Sequence, residues 1–170
     1  MAGFRPTPRA PMSRRIVTRR SPIHGNGVFA ATDIPAGVRL IEYRGRVITQ
    51  AQADRRYDGT SDSGHTFLFI LNDDYVIDAN FDGNAARWIN HSCEPNCEAV
   101  IHEHDHDRRR DRVMIETIRP IEAGEEISYD YGIVLEERYT PALKKIWECR
   151  CGSPKCTGTL LKPKRGRRAA

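Results

Sequence analysis

Three of the five cysteines in this 170-residue chain lie within eight residues, in the spacing Cys149-x-Cys151-x4-Cys156. This spacing is too tight for ordinary core thiols, and an odd number of cysteines argues against a disulfide framework. Tetrahedral zinc needs four ligands, and thiolates in a short loop supply three of them. The fourth would come from Cys93 or Cys97. We therefore predict a zinc site that fastens the C-terminal segment to the body of the domain, with reduced, unligated thiols as the alternative.

Short β-rich stretches separated by frequent turns make up most of the remaining chain. The β-branched and aromatic content predicts strands at 28–30, 38–43, 45–48, 66–71, 75–78, 98–101, 113–118 and 126–129, with 38–43 paired to 45–48. Helices are predicted at 49–57, capped by Thr49, and as a single turn at 84–89. Pro141 either interrupts or starts a helix within 133–147. The pattern indicates one mostly β domain built from several small sheets.

Charge is distributed unevenly along the chain. The net charge is +4, yet residues 1–20 carry six Arg and residues 161–170 five Lys or Arg, with no acidic residue in either segment. Residues 21–160 hold the other 16 basic and all 23 acidic side chains, a net charge of −7. An acidic body favours encounter with a cationic partner, and basic ends favour polyanions such as nucleic acid. The alternative is that the basic arm 1–15 and the basic tail 163–170 are only solvated and disordered.

The sequence has neither a membrane-span pattern nor a secretory pattern. It contains no run of about 18 apolar residues, the length that a transmembrane helix needs. The basic N-terminus also lacks the apolar segment of a signal peptide. We expect an intracellular protein without membrane contact.

Tyr129 and Tyr131 stand at the end of a predicted strand. Side chains two residues apart share one face of a regular strand, so the two phenols would line the same side of a cavity. Such a pair forms a narrow aromatic slot with hydrogen-bonding tips. The alternative is two ordinary, half-buried tyrosines.

Several short segments follow one another in an informative order: Gly25-Asn26-Gly27, Glu42-Tyr43-Arg44-Gly45, Arg87-Trp88-Ile89-Asn90-His91-Ser92-Cys93, Gly124-Glu125-Glu126-Ile127-Ser128-Tyr129-Asp130-Tyr131 and the Cys149-x-Cys151-x4-Cys156 motif. This order resembles that of the SET-domain lysine methyltransferases, and the cysteine motif matches their post-SET zinc motif. Trithorax-type members are the most similar, through residues 21–25 and 83–93. The resemblance covers about residues 16–162, and no Cys-rich pre-SET segment precedes them.

This resemblance implies a fold and a domain organisation. We expect a SET domain of the β-clip type at 16–132, with a C-terminal pseudoknot. A zinc-bound post-SET segment would follow at 133–162. By the same resemblance Cys93 joins Cys149, Cys151 and Cys156 as the fourth zinc ligand, and Cys97 remains a small buried thiol.

The resemblance also implies S-adenosylmethionine as the methyl donor and roles for individual residues. Tyr131 would be the catalytic tyrosine, Tyr43 a second channel tyrosine that hydrogen-bonds the amine, and Tyr129 a residue that limits how many methyl groups are added. Phe67 stands near a position where relatives often have tyrosine. The cofactor-binding residues would be His24, Gly25, Asn26, Gly27, Arg87, Asn90, His91 and Tyr131.

The expected function is therefore methyl transfer from S-adenosylmethionine to a lysine of a basic, histone-like protein, giving mono- or dimethyllysine. The alternative is a catalytically weak SET-fold binding module that its basic ends tether to nucleic acid or chromatin. We expect a monomer that contacts nucleic acid through its ends, with an activating partner of the kind that trithorax-type members often need. The location would be the chromatin of a nucleus or the nucleoid of a bacterial cytoplasm.

The segment 102–112 has histidines at three alternating positions, His102, His104 and His106. Alternation on a strand could present three metal ligands on one side. The mixed charges of the same segment are typical of a solvated hairpin loop, which is the interpretation that we favour.

Overall fold

The structure is a computed structural model that describes residues 15–57 and 67–164. Apart from Arg15, Pro163 and Lys164, the expected arm 1–15 and tail 163–170 lie outside the described residues, as does the polar loop 58–64. The elements in the described part are the helices α1 (Gln50–Tyr57) and α2 (Pro141–Ile146) and the strands β1 (Ile16–Arg20), β2 (Asn26–Ala30), β3 (Arg39–Tyr43), β4 (Arg46–Thr49), β5 (Leu68–Ile70), β6 (Tyr75–Asp78), β7 (Asn90–His91), β8 (Cys97–His102), β9 (Arg112–Thr117) and β10 (Ser128–Tyr129).

These strands form several small sheets, which confirms the predicted mostly β class. β1 pairs with β2, β9 lies between β3 and β8, β6 lies between β4 and β5, and β7 pairs with β10. All pairs are antiparallel except β7–β10, which is parallel. The predicted strands lie within a few residues of the observed ones, and β1 and β7 were not predicted. No helix in the described ranges is long and apolar enough to cross a membrane.

The predicted pairing of strand 38–43 with strand 45–48 is wrong. β3 pairs with β9, and β4 pairs with β6 in a different sheet. Gly45 lies between β3 and β4, packed so closely on the next sheet that a Cβ atom there would be 2.6 Å from the carbonyl oxygen of Asp78. The chain therefore leaves one sheet and enters the other at Gly45. Only glycine allows the backbone to approach that of Asp78 so closely.

Helix α1 begins with the predicted cap. The Thr49 hydroxyl accepts from the Gln52 backbone N–H at 3.2 Å, and the Gln52 side chain accepts from the Thr49 backbone N–H at 2.9 Å. This reciprocal capping box satisfies two backbone donors that a helix start would otherwise leave unpaired. The predicted turn at 84–89 is a 3₁₀ helix, Ala85–Trp88, capped by Asn84. Pro141 starts α2 after the capping residue Thr140.

One principal core lies between the sheets. Its fully buried members include Leu40, Leu71, Ile89, Ile115 and Ile127, which come from five separate parts of the chain. Burial of a large aliphatic side chain stabilises a fold by about 1.5–3 kcal/mol. This core therefore fixes the segments that surround the candidate site, including the edges of β3, β7 and β10.

The C-terminal segment folds back onto the body. Ile133 forms a parallel bridge with Leu161, and Glu148 forms an antiparallel bridge with Thr159. Leu161 and Trp147 are both buried, so this segment packs as part of the domain. The pseudoknot threading expected of this region stays a prediction.

Candidate active site

The parallel pair β7–β10 brings two distant segments of the sequence together. Asn90 lies opposite Ser128, and His91 lies opposite Tyr129. Asn96, which is fully buried, holds this arrangement: its Oδ1 accepts from the Ser128 N–H at 2.9 Å and its Nδ2 donates to the Glu126 carbonyl at 2.7 Å. The predicted cofactor residues therefore stand beside the predicted tyrosines.

Four aromatic rings, three of them phenols, form a continuous row, here called the phenol row: Tyr43, Phe69, Tyr129 and Tyr131. Successive ring centroids are 5.2, 6.4 and 5.0 Å apart. Tyr131 lies just beyond the end of β10, yet its ring still packs on that of Tyr129. The structure thus brings all three predicted channel tyrosines together, and Phe69 joins them.

Burial keeps the three phenols protonated at neutral pH. Desolvation raises the pKa of Tyr43, Tyr129 and Tyr131 above the ordinary tyrosine value, and in Tyr129 and Tyr131 the neighbouring phenols add to the effect. The Tyr131 hydroxyl donates to the Ile89 carbonyl at 2.8 Å, which fixes the direction of the ring and of the oxygen lone pairs. These groups are therefore suited to orient a ligand by hydrogen bonding and not to act as phenolate bases.

His91 links the phenol row to the cysteines. Its Nδ1 accepts from the Tyr131 backbone N–H at 3.1 Å, so the ring proton is on Nε2, which lies 3.5 Å from the Cys93 sulfur. Burial lowers the pKa of His91 and outweighs the opposing effect of Asp130, while Lys162 lowers this pKa further. A neutral imidazole thus spans from Tyr131 to Cys93.

Asn90 fixes the glycine turn that precedes β2. Its Nδ2 donates to Glu126 Oε1 at 2.8 Å and to the carbonyl oxygens of Asn26 at 3.1 Å and His24 at 3.3 Å. These bonds engage the amide hydrogens and leave Oδ1 of Asn90 able to accept from a ligand. A Cβ atom on Gly27 would lie 2.3 Å from Glu126 Oε1, so glycine there permits the carboxylate to reach Asn90.

Arg87 and the aromatic residues beside it form another part of the site. The Arg87 guanidinium lies 4.5 Å from the Trp88 ring centroid and 5.5 Å from that of Phe67, and it donates to the Ala79 carbonyl at 3.1 Å. Phe67 and Trp88 pack edge to face at 5.0 Å. Phe67 therefore has a packing role beside Arg87 that needs no hydroxyl.

These groups line one large cavity of about 1170 Å³. Of the predicted site residues outside the cysteine cluster, all but Gly27 contribute to its lining; Gly27 instead faces Glu126 and Ser21. The cavity is also lined by residues that are not among the individually predicted site residues: Gln50, Ala53, Asp54 and Tyr57 of α1, and Trp147 and Leu160 of the C-terminal segment. Trp147 could have been found from its position two residues before the cysteine motif.

The four cysteines implied by the resemblance converge. The sulfur atoms of Cys93, Cys149, Cys151 and Cys156 all lie within 4.8 Å of one another, and those of Cys93 and Cys149 are 3.8 Å apart. Tetrahedral zinc with bonds of roughly 2.3 Å places thiolate sulfurs about 3.8 Å apart, so the cluster fits a four-cysteine structural zinc site. Cys97 lies outside the cluster and is fully buried, and burial raises its pKa to about 12, as expected for an inert core thiol.

The histidine-rich segment closes a hairpin between β8 and β9. His102 lies opposite Arg112, and its Nε2 is 3.1 Å from the Glu116 carboxylate. The Asp111 carboxylate accepts from the backbone N–H of His104 at 2.8 Å. The predicted hairpin loop is confirmed, and these contacts place Glu116 and Asp111 within the loop's own hydrogen-bond network.

Comparisons with known proteins agree with this geometry. The curated relatives include histone-lysine N-methyltransferase set1 of Dictyostelium discoideum, 42% identical over 86% of this chain and 9% of that protein. Human histone-lysine N-methyltransferase 2B is 42% identical over 81% of this chain and 5% of its own length. Human histone-lysine N-methyltransferase EHMT1 is 41% identical over 78% of this chain and 10% of its own length.

The chain thus spans a tenth or less of the length of these relatives. The SET domain model matches residues 25–132, which is well over half of the chain. This stretch includes the glycine turn, Tyr43, the β7 segment and the phenols of Tyr129 and Tyr131. The chain belongs to the SET domain family.

Proposed function

We propose that this chain is a protein-lysine N-methyltransferase that uses S-adenosylmethionine. The observation that supports this most directly is one cavity lined both by Asn90 and His91 and by the three phenols of Tyr43, Tyr129 and Tyr131. A donor site and an aromatic acceptor channel are therefore contiguous. The relatives named above are histone-lysine methyltransferases, in keeping with this assignment.

The cavity fits S-adenosylmethionine in its donor set and its apolar surface. Oδ1 of Asn90 would accept from the ammonium group of the cofactor, and the turn at His24, Gly25 and Asn26 offers backbone groups nearby. Trp147 and Leu160 provide apolar surface for the adenine ring. When bound, the cofactor supplies a methyl group on a positively charged sulfur.

The protein prepares the acceptor amine by excluding water. A free lysine has a pKa of about 10.4, and its ammonium form cannot attack the methyl group. Burial among Tyr43, Tyr129 and Tyr131 disfavours the charged amine, so its proton is released to solvent before transfer. The Tyr131 hydroxyl, held by Ile89, then orients the neutral amine. Positioning of this kind is worth about 7–11 kcal/mol in favourable cases.

We propose that zinc binds at Cys93, Cys149, Cys151 and Cys156. The ion would connect residue 93, two residues after His91, to the segment that carries Trp147. Trp147 lines the cavity, and Cys93 lies two residues after His91, which also lines it. The zinc thus acts structurally: it stabilises the cavity wall and takes no part in methyl transfer.

The substrate that we propose is a basic, histone-like protein of chromatin. The acidic body of the chain, with a net charge of −7 over residues 21–160, attracts a cationic peptide. The relatives named above, from Dictyostelium discoideum and human, are named as histone enzymes, which favours a nuclear location over the bacterial alternative. The basic ends would contact nucleic acid. We expect Tyr129 to restrict the product to mono- or dimethyllysine.

The test is incubation of the purified chain with S-adenosylmethionine and core histones, followed by mass analysis of the products. The expected result is a mass gain of one or two methyl groups on defined lysines. A matched control is Tyr75→Phe, which removes a phenolic hydroxyl outside the cavity and should retain activity. Donor binding without methylation of any histone or basic peptide would support the alternative of a binding module.

A further inference from the structure

Exposed apolar side chains concentrate at this cavity. Seven large apolar residues are exposed in the described part of the chain, and four of them, Ile70, Ile101, Val134 and Ile146, line the cavity. The most exposed is Ile70, at 68%, and Ile101 is 42% exposed. Clustered apolar exposure beside a candidate active site indicates a surface that binds a partner.

Ile101 lies in the same cross-strand row as a channel tyrosine. In the sheet β3–β9–β8, Val113 is the register partner of both Tyr43 and Ile101. Directly opposed residues in antiparallel strands project from the same face, so the three side chains share one surface. Val113 and Tyr43 are buried, whereas Ile101 is at the exposed edge strand β8. The row therefore runs from the acceptor channel outward to Ile101.

The strand register also sets the distance between Ile101 and Tyr43. Neighbouring strands are about 4.8 Å apart, so Ile101 and Tyr43, two strands apart, are separated by about 10 Å. An extended peptide advances by about 3.3 Å per residue. A side chain that reaches Ile101 therefore belongs to a residue about two or three positions from the residue in the channel.

Ile70 lies on a second sheet that is joined to the first near Ile101. Ile70 belongs to the edge strand β5, and Asn72, two residues later, donates to the Asp111 carboxylate at 2.8 Å. Arg112, which follows Asp111 in the chain, is the register partner of His102, and His102 is the residue after Ile101. The two isoleucines thus lie on adjoining edges, and both line the same cavity.

We propose that Ile101, with Ile70, selects an apolar side chain two or three residues from the target lysine. The inference rests on the proposed methyltransferase function and adds a substrate class: a basic protein whose target lysine has an apolar residue at that spacing. The occupant is the substrate peptide, because Ile101 and Ile70 line the same cavity as the channel that would hold the lysine of that peptide. An apolar substrate side chain would bury Ile101 and remove apolar area from water.

The test is a peptide series with one central lysine, in which leucine or glycine occupies each position up to four residues on either side. At one position, two or three residues from the lysine, leucine should raise kcat/KM about tenfold over glycine. With Ile101→Ser the leucine peptide should lose most of this advantage, and the ratio between the two peptides should fall towards one. Ile70→Ser should lower the same ratio by a smaller factor.

The matched control is Ile118→Ser. Ile118 is 48% exposed, close to Ile101 in exposure, but it does not line the cavity, so the leucine preference should persist. Methylation of the series with no leucine preference, or a preference that survives Ile101→Ser, would overturn the inference while leaving the methyltransferase function intact. If neither histones nor any peptide is methylated, the proposed function itself fails.

Discussion

Asp78→Asn should weaken the attachment of helix α1 to the domain. The Asp78 side chain is fully buried, and its carboxylate accepts four hydrogen bonds: from Arg56 at 3.0 Å, from the Tyr57 hydroxyl at 2.7 Å, and from the backbone and side chain of Asn80 at 3.1 and 3.0 Å. Arg56 and Tyr57 form the last turn of α1, whose one buried residue is Ala53. This carboxylate therefore holds the C-terminal end of the helix, while Ala53 packs against Ile48 and Val76.

The magnitude follows from the acceptors that asparagine lacks. An amide has one acceptor oxygen in place of two. Arg56 and Tyr57 both donate to Oδ2, so an amide nitrogen in that place loses one charged and one neutral hydrogen bond. A neutral bond contributes about 0.5–1.5 kcal/mol and a charged one about 1.5–3 kcal/mol, so the attachment weakens by about 2–4.5 kcal/mol. Since 1.4 kcal/mol is a factor of ten, hydrogen exchange in α1 should accelerate by about 30- to 1,600-fold.

Hydrogen exchange read by mass spectrometry measures this effect by segment. Exchange should accelerate in 50–57 and stay unchanged in β8 and β9, and KM for substrate should rise because α1 lines the cavity. The matched control is Asp82→Asn, because Asp82 pairs with Arg46 but is 74% exposed, so its loss costs about 0–1 kcal/mol. Unchanged exchange in α1 of a folded Asp78→Asn protein would refute the reasoning.

The difference in stability between the wild-type and Asp78→Asn proteins should depend on pH. Burial by itself would raise the pKa of Asp78, but the hydrogen bonds from Tyr57, Asn80 and Arg56 outweigh it and leave the pKa below the ordinary value. A carboxyl group with a lowered pKa stabilises the folded state above its unfolded pKa, and this contribution is lost as pH falls through the folded pKa. The wild-type and Asp78→Asn proteins should therefore differ fully at neutral pH and converge below about pH 4.

Three further predictions concern the phenol row and the cysteines. Tyr131→Phe removes the hydrogen bond to Ile89, so denaturant melts should show about 1 kcal/mol of lost stability. In single-turnover assays, methyl transfer should slow by about 100-fold or more. Calorimetry should show that the donor still binds. Tyr129→Phe should shift the product towards trimethyllysine in mass spectra, and an identical product distribution would contradict the role of its hydroxyl. Cys93→Ser should lose the bound zinc, about one ion per chain by metal analysis, whereas Cys97→Ser should retain it; equal zinc in both variants would exclude Cys93 as a ligand.

Local chemistry made parts of this molecule readable from the sequence. The capping box at Thr49 and the turn at Asn84 depend on neighbouring residues, and both occur where local patterns predict them. The short strands were found for the same reason, because β-branched residues and turn residues act within a few positions. β7 was missed because its pairing partner, Ser128–Tyr129, lies far along the chain.

The sequence by itself determined the family, the mostly β class and the residue types that meet at the site, because these reside in short ordered motifs. Only the tertiary structure decided which strands pair, that Gly27 faces Glu126 and not the cavity, and which individual residues of α1 and of the C-terminal segment line the cavity wall. It also placed Ile101 in one row with Tyr43. The physical reason is that sheet register and burial depend on contacts between residues many positions apart, and no local pattern encodes them.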